Sequence, residues 1–127
     1  MDQEVRLQGD WEEWLEFFLT GVAETAEQAT TTARRILDLF ERDRRRVEAL
    51  GRTAGSTLRV HELMRRHPLL GAARAGDELG MTPPTVNAAL RRLEDLGMVR
   101  EITGRKWGRL FAYEEYLGIL NEGTEPL

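Results

Sequence analysis

The run from Gly80 to Gly97, GMTPPTVNAALRRLEDLG, constrains this chain more than any other segment. Thr82 stands where a helix N-cap belongs. Pro83 follows at the first helical position, where a missing N–H costs nothing. Val86, Ala89, Leu90, Leu93 and Leu96 recur at helical spacing and make one apolar stripe. Gly97 supplies the C′ stop. Both ends of a helix and its buried face are therefore written locally.

The flanking segments complete a pattern. Thr53, Ala54, Gly55 and Ser56 read as a short linker, with Ser56 as the expected cap of a helix TLRVHELMRRH. Leu58, Val60, Leu63 and Met64 face inward, and Pro68 ends that helix. GAARAGDELG is a short segment, weakly helical because of Gly71 and Gly76, and closed by Gly80. After Gly97, Met98–Ile102 alternates loosely, Thr103, Gly104 and Arg105 form a turn, and Leu110–Tyr113 makes a second strand. That is a β-hairpin. Glu114 to Leu120 reads as a last short helix before the tail NEGTEPL. Helix, short helix, Thr-Pro turn, helix and hairpin make a winged helix-turn-helix over residues 53–113.

Residues 1–52 read as an N-terminal helical segment, so the fold class is mostly α with a small β-hairpin. Asp10 is the expected N-cap of an amphipathic helix bearing Trp11, Trp14, Leu15, Phe17, Phe18 and Leu19. Gly21 is expected to kink or interrupt it. A long helical stretch follows from Val22 to about Leu50, with Val22, Ala26, Ala29, Ala33, Ile36, Leu37, Phe40, Val47 and Leu50 near helical spacing. Its arginines come late, which suits the helix dipole, and Gly51 stops it. Trp11, Trp14, Phe17 and Phe18 exceed what a two-helix hairpin buries, so with Ile36 and Phe40 they are expected to form an interface. The partner is the second half of the chain, another copy, or a missing domain.

Charge separates the segments. The net charge is −4, with a pI near 5.3. Residues 1–52 hold 12 acids and 8 bases, and residues 114–127 hold 4 acids and no base. Residues 53–113 hold 6 acids and 10 bases, so the basic excess lies on the winged helix-turn-helix alone. Such asymmetry marks a nucleic-acid-facing region.

A recognition helix presents its N-terminal, outward residues to base edges in the major groove. Opposite the buried stripe stand Pro84, Thr85, Asn87, Ala88 and Arg91, with Arg92 beside them. Asn pairs with adenine and Arg with guanine, and small neighbours permit close approach. The Thr82 hydroxyl and the helix N-terminus can meet a phosphate. Arg105, Lys106 and Arg109 put three cations on the hairpin, as a wing along phosphates or the minor groove requires. Trp107 fits core packing and DNA contact equally.

Catalytic readings fail on residue type. His61 and His67 are six apart and no cysteine completes a site, so no metal and no cofactor is expected. His61 reads as a surface or boundary histidine. No phosphate-cradling glycine loop is present. The N-terminus lacks a secretory layout and no apolar run spans a membrane, so a cytoplasmic location is the default expectation.

Three runs carry a family resemblance: GDWEEWLEFFLTGVAETAEQATTTARRILDLFERDR, LGRTAGSTLRVHELM, and LGMTPPTVNAALRRLEDLGMVREITGRKWGRLFAYEEYLGILNEGTEPL. Together they resemble the C-terminal portion of Fic (filamentation induced by cAMP) domain proteins, from about residue 4 to the end. The resemblance implies a full-length AMP-transferring enzyme with a catalytic helical domain followed by a winged helix. Asp10–Leu50 would correspond to the last helices of the catalytic region. The family's motif HPFx(D/E)GNGRxxR is absent; His67-Pro68-Leu69-Leu70-Gly71 lacks its acid, its Asn and its paired glycines. The resemblance thus implies a fragment or short gene that keeps the tail without the chemistry, and no enzyme activity. GAARAGDELG departs from the more regular second helix of relatives, and its two glycines are expected to loosen the scaffold under the recognition helix.

The resulting expectation is sequence-specific binding of double-stranded DNA by a transcriptional regulator, homodimeric through its N-terminal helices. The alternative is a protein-interaction module that docks on a Fic catalytic domain or another partner. Residual adenylyl transfer is a third and weaker reading.

Overall fold

The structure is a computed structural model that describes residues 2–104 and 106–124. Helix α1 spans Asp2–Glu48 and a 3-10 turn spans Gly51–Thr53. Then come α2 (Ala54–Arg66), β1 (Leu69–Gly71), α3 (Ala72–Leu79) and α4 (Pro83–Asp95). Strands β2 (Arg100–Glu101) and β3 (Leu110–Ala112) and helix α5 (Glu114–Thr124) complete the order. Contacts divide the chain into two compact units, Met1–Arg34 and Arg35–Leu127. No helix among the described residues is long and apolar enough to cross a membrane.

The first unit is helical throughout its described residues. Asp10 does not cap it; the helix already runs from Asp2, because Glu, Arg, Leu and Gln before it are good helix formers. The helix runs through Gly21 without interruption, since a single helical glycine costs only about 1 kcal/mol against Ala. Trp11, Trp14, Phe17 and Phe18 are all exposed. Trp14 stacks with Trp11 at 5.3 Å and with Phe18 at 5.4 Å between ring centroids, the i, i+3 and i, i+4 contacts of one helix face.

The second unit holds the core. Val60, Leu63 and Met64 of α2, Ala75 of α3, and Val86, Ala89, Leu90 and Leu93 of α4 are fully buried. Val47 from the end of α1, Leu70 of β1 and Tyr113 after β3 join them. Helix α2 begins at Ala54, so Ser56 is not its cap. The 3-10 turn runs directly into α2, and the chain is already helical when it reaches Ser56. Thr57 instead donates its hydroxyl to the Thr53 carbonyl at 2.8 Å.

The hairpin expected after Gly97 exists, but it is part of a three-stranded antiparallel sheet ordered β1-β3-β2. Leu70 lies opposite Phe111, and Arg100 lies opposite Ala112. Strand β1 has three residues and no local signature, because it is defined by its pairing with β3. The Tyr113 amide extends that edge by donating to the Pro68 carbonyl at 2.8 Å. The winged helix-turn-helix fold class is thereby established: three helices, a small sheet and a long preceding helix.

Candidate nucleic-acid interface

The geometry begins at the turn between α3 and α4. Gly80 takes the left-handed conformation, φ +64, that ends α3 and turns the chain. The Met81 amide donates to the Gly76 carbonyl at 3.1 Å. A Cβ on Gly76 would lie 3.0 Å from the Met81 carbonyl oxygen. Gly76 therefore does not loosen this scaffold as expected; it lets the turn close against α3. Gly71 lies in β1 and precedes α3, so it costs that helix nothing. From α2, Arg59 donates to the Leu79 carbonyl at 2.7 Å and ties down the end of α3.

Thr82 is the N-cap residue of α4, with extended backbone, and Pro83 opens the helix. The Thr82 side chain makes no cap hydrogen bond; its hydroxyl pairs with the Thr85 hydroxyl at 3.0 Å. Val86, Ala89, Leu90 and Leu93 face inward onto α2 and α3. The opposite face carries Pro84, Thr85, Asn87 and Arg91, all exposed, with Ala88 half-buried. Arg92 is placed differently. It is half-buried and donates to the Thr57 hydroxyl at 3.4 Å, back toward α2.

The far end of α4 is fastened twice. The Gly97 amide donates to the Glu94 carbonyl at 2.9 Å and the Met98 amide to the Leu93 carbonyl at 3.0 Å. This is a Schellman cap, with buried Met98 and Leu93 as its apolar pair. Arg46, near the end of α1, then donates to the Leu96 carbonyl at 2.5 Å, a cation at the negative end of the helix dipole. The same Arg46 lies 3.7 Å from Asp43.

Asp43 is fully buried and belongs to a polar network that the sequence reading missed. Tyr113 donates to Asp43 Oδ2 at 2.5 Å, and His61 Nε2 lies 3.0 Å from the same hydroxyl. With its proton committed to Asp43, the hydroxyl accepts from Nε2–H, which fixes the tautomer of His61. Arg42 donates to Asp43 Oδ1 at 3.1 Å and to Glu115 at 2.6 Å. His61 is 2% exposed and so is no surface or boundary residue. Burial holds its pKa below the ordinary value, aided by Arg65 and Arg44 and opposed by Asp43 and Glu62. Burial and then the Asp43 contact push Tyr113 far above its usual range. Asp43 and Val47 at helical spacing along α1 were the available signal, with an acid interrupting an apolar stripe.

The hairpin is built around Glu101. Its Oε2 accepts from the Thr103 amide at 2.8 Å and the Gly104 amide at 2.7 Å. Leu110 donates its amide to the Thr103 hydroxyl at 3.3 Å, and Ile102 to the Leu110 carbonyl at 2.9 Å. Glu94 of α4 accepts from the Glu101 amide at 3.0 Å, which joins the wing to the helix. Lys106 is exposed. Arg109 is half-buried and 3.8 Å from Glu101 Oε1, so part of its charge is answered within the wing. Arg105 lies outside the described residues. Trp107 is 83% exposed, which removes the core-packing alternative.

Of the expected interface residues, Trp11, Trp14, Phe17 and Phe18 are exposed in the first unit. Phe40 is 8% exposed within the core of the second unit, in edge contact with Tyr116 at 4.8 Å and beneath the Arg65 guanidinium at 4.7 Å. Ile36 packs partly buried on the same core. Both are occupied by their own unit.

No curated protein matches the chain. Residues 55–100, which run from α2 to the start of the wing, match the family model described as winged helix-turn-helix DNA-binding. With helices α2 to α4 and the wing in that order, this part of the chain has the winged helix-turn-helix fold and is similar to that DNA-binding family.

Proposed function

We propose that this chain binds double-stranded DNA sequence-specifically and acts in transcriptional regulation, in a non-enzymatic role and at the nucleoid. The observation that carries this reading is the face of α4. Pro84, Thr85 and Asn87 are exposed near its N-terminal end and Arg91 one turn beyond Asn87, while the opposite face is buried. Asn87 and Arg91 are one helical turn apart and supply the two side chains best suited to adenine and guanine edges. Lys106 and Arg109 supply phosphate contacts from the wing, with Thr82 at the helix N-terminus.

Selection from a mixed duplex pool tests it. Enriched sequences that bind at ~50 mM salt and are released by ~200 mM support the reading. A chain that retains no duplex at the lower salt refutes it.

Regulators of this kind bind paired half-sites, and we assign pairing of two copies to the exposed face of Trp11, Trp14, Phe17 and Phe18. Two recognition helices would then address sites about one turn of DNA apart. The same face favours a second reading, in which the module docks on a partner such as a Fic catalytic domain. A face of exposed aromatic side chains is an interaction surface under either reading. Sizing of the pure chain separates them: a dimer supports self-pairing, a monomer the partner.

A further inference from the structure

We infer that Trp107 is a minor-groove wedge: the wing delivers its indole between base pairs at the flank of the bound site and selects for deformable steps there. This inference rests on the DNA-binding reading above.

Four observations meet at this residue. Trp107 is the most exposed large apolar side chain among the described residues, at 83%. An indole is ordinarily among the more deeply buried groups of a domain, so its display at a hairpin tip calls for an occupant. It lies between Gly104 and Gly108, and a Cβ on either would meet nothing within 4 Å. Gly108, next to the indole, adds no side-chain bulk there, which suits entry into a groove only about 6 Å wide. The base of the tip is already ordered, because Glu101 accepts from the Thr103 and Gly104 amides and Thr103 accepts from Leu110. Those bonds reduce the ordering that insertion still has to supply. Lys106 stands next to the indole as an exposed cation for the flanking phosphates.

An apolar side chain placed in the minor groove unstacks a base step and bends the duplex. The cost of that depends on sequence and is least at pyrimidine–purine steps. Trp107 would thus add selectivity at a position that Asn87 and Arg91 do not read.

The full chain and its Trp107→Phe variant are titrated with the selected duplex at ~50 mM salt, and the difference between their emissions reports the Trp107 indole. The expected result is quenching of that difference on binding. Trp107→Ala should bind about tenfold more weakly, as loss of one base-stacking aromatic implies. It should also lose its preference for a flanking pyrimidine–purine step, while Trp107→Phe keeps most of both. Tight binding with unchanged emission, and Trp107→Ala within about twofold, overturns the wedge and leaves the DNA reading intact. Failure of the unsubstituted chain to bind any duplex overturns both.

Discussion

The Tyr113 hydroxyl donates to Asp43 Oδ2 at 2.5 Å, and both residues are buried. This bond joins the last part of α1 to the end of β3 across 70 positions of sequence. Asp43 also receives Arg42 and lies beside Arg46, and Arg46 holds the carbonyl of Leu96, the C-cap residue of α4. The orientation of α4 is therefore tied to a buried acid on another helix. Tyr113→Phe keeps the ring and removes the donor, leaving Asp43 and the His61 Nε2–H each short of a partner. Urea unfolding should show a loss of about 1–3 kcal/mol. A loss below about 0.5 kcal/mol would mean that water replaces the hydroxyl.

His61 makes stability depend on pH. Burial lowers its pKa from the ordinary 6.5, so the unfolded chain takes up this proton at higher pH than the folded one. Its contribution is complete above pH 6.5 and is lost as pH falls from there through the lower folded value. The urea midpoint should fall between pH 7 and pH 5, and His61→Gln should flatten that part of the profile. Tyr113 acts at the other end. Its raised pKa gives stability present below the ordinary 10.0 and lost as pH rises past it.

Gly76→Ala tests the close approach at the helix turn. On propensity alone the change should stabilise α3 by up to about 1 kcal/mol. The new methyl would stand 3.0 Å from the Met81 carbonyl oxygen, which belongs to the backbone and has little room to yield. We expect a lower melting temperature than the parent chain. A higher one would show that the turn can open at no cost.

Arg91 and Lys106 should fail in different ways. If Arg91 reads a base as proposed, Arg91→Ala should cost about 1–3 kcal/mol on the selected site while relaxing preference at one position. Lys106→Ala should weaken all duplexes alike and reduce the salt slope by about one. Parallel salt titrations on selected and scrambled duplexes separate the two patterns.

The aromatic face should respond to salt in the opposite sense from DNA binding. Between Arg6 and Arg34 the chain has six acids and no base, so two such helices repel as their aromatic faces meet. Added salt screens that repulsion. Sedimentation from ~50 to ~300 mM salt should show self-association strengthening, and Trp14→Glu should abolish it. A salt-independent monomer would count against self-pairing.

Local sequence carried the frame of the winged helix-turn-helix. Thr82, Pro83 and Gly97 bound one helix from neighbours alone, and the period of Val86, Ala89, Leu90 and Leu93 told which face goes inward, so the outward face of Asn87 and Arg91 followed. What lay beyond reach were relations between distant segments. Strand β1 exists because Leu70 meets Phe111. Gly76 looked like a weak spot until Met81 was brought against it. Arg92 shares the charge of Arg91, yet lies toward Thr57 because the packing of α4 on α2 sets its direction. His61 and Asp43 read as ordinary polar residues, since only the fold places Tyr113 between them. Periodicity and caps act over one or two turns, and the sequence spells those out; burial and hydrogen-bond partners depend on which elements touch, and that the tertiary structure alone decides.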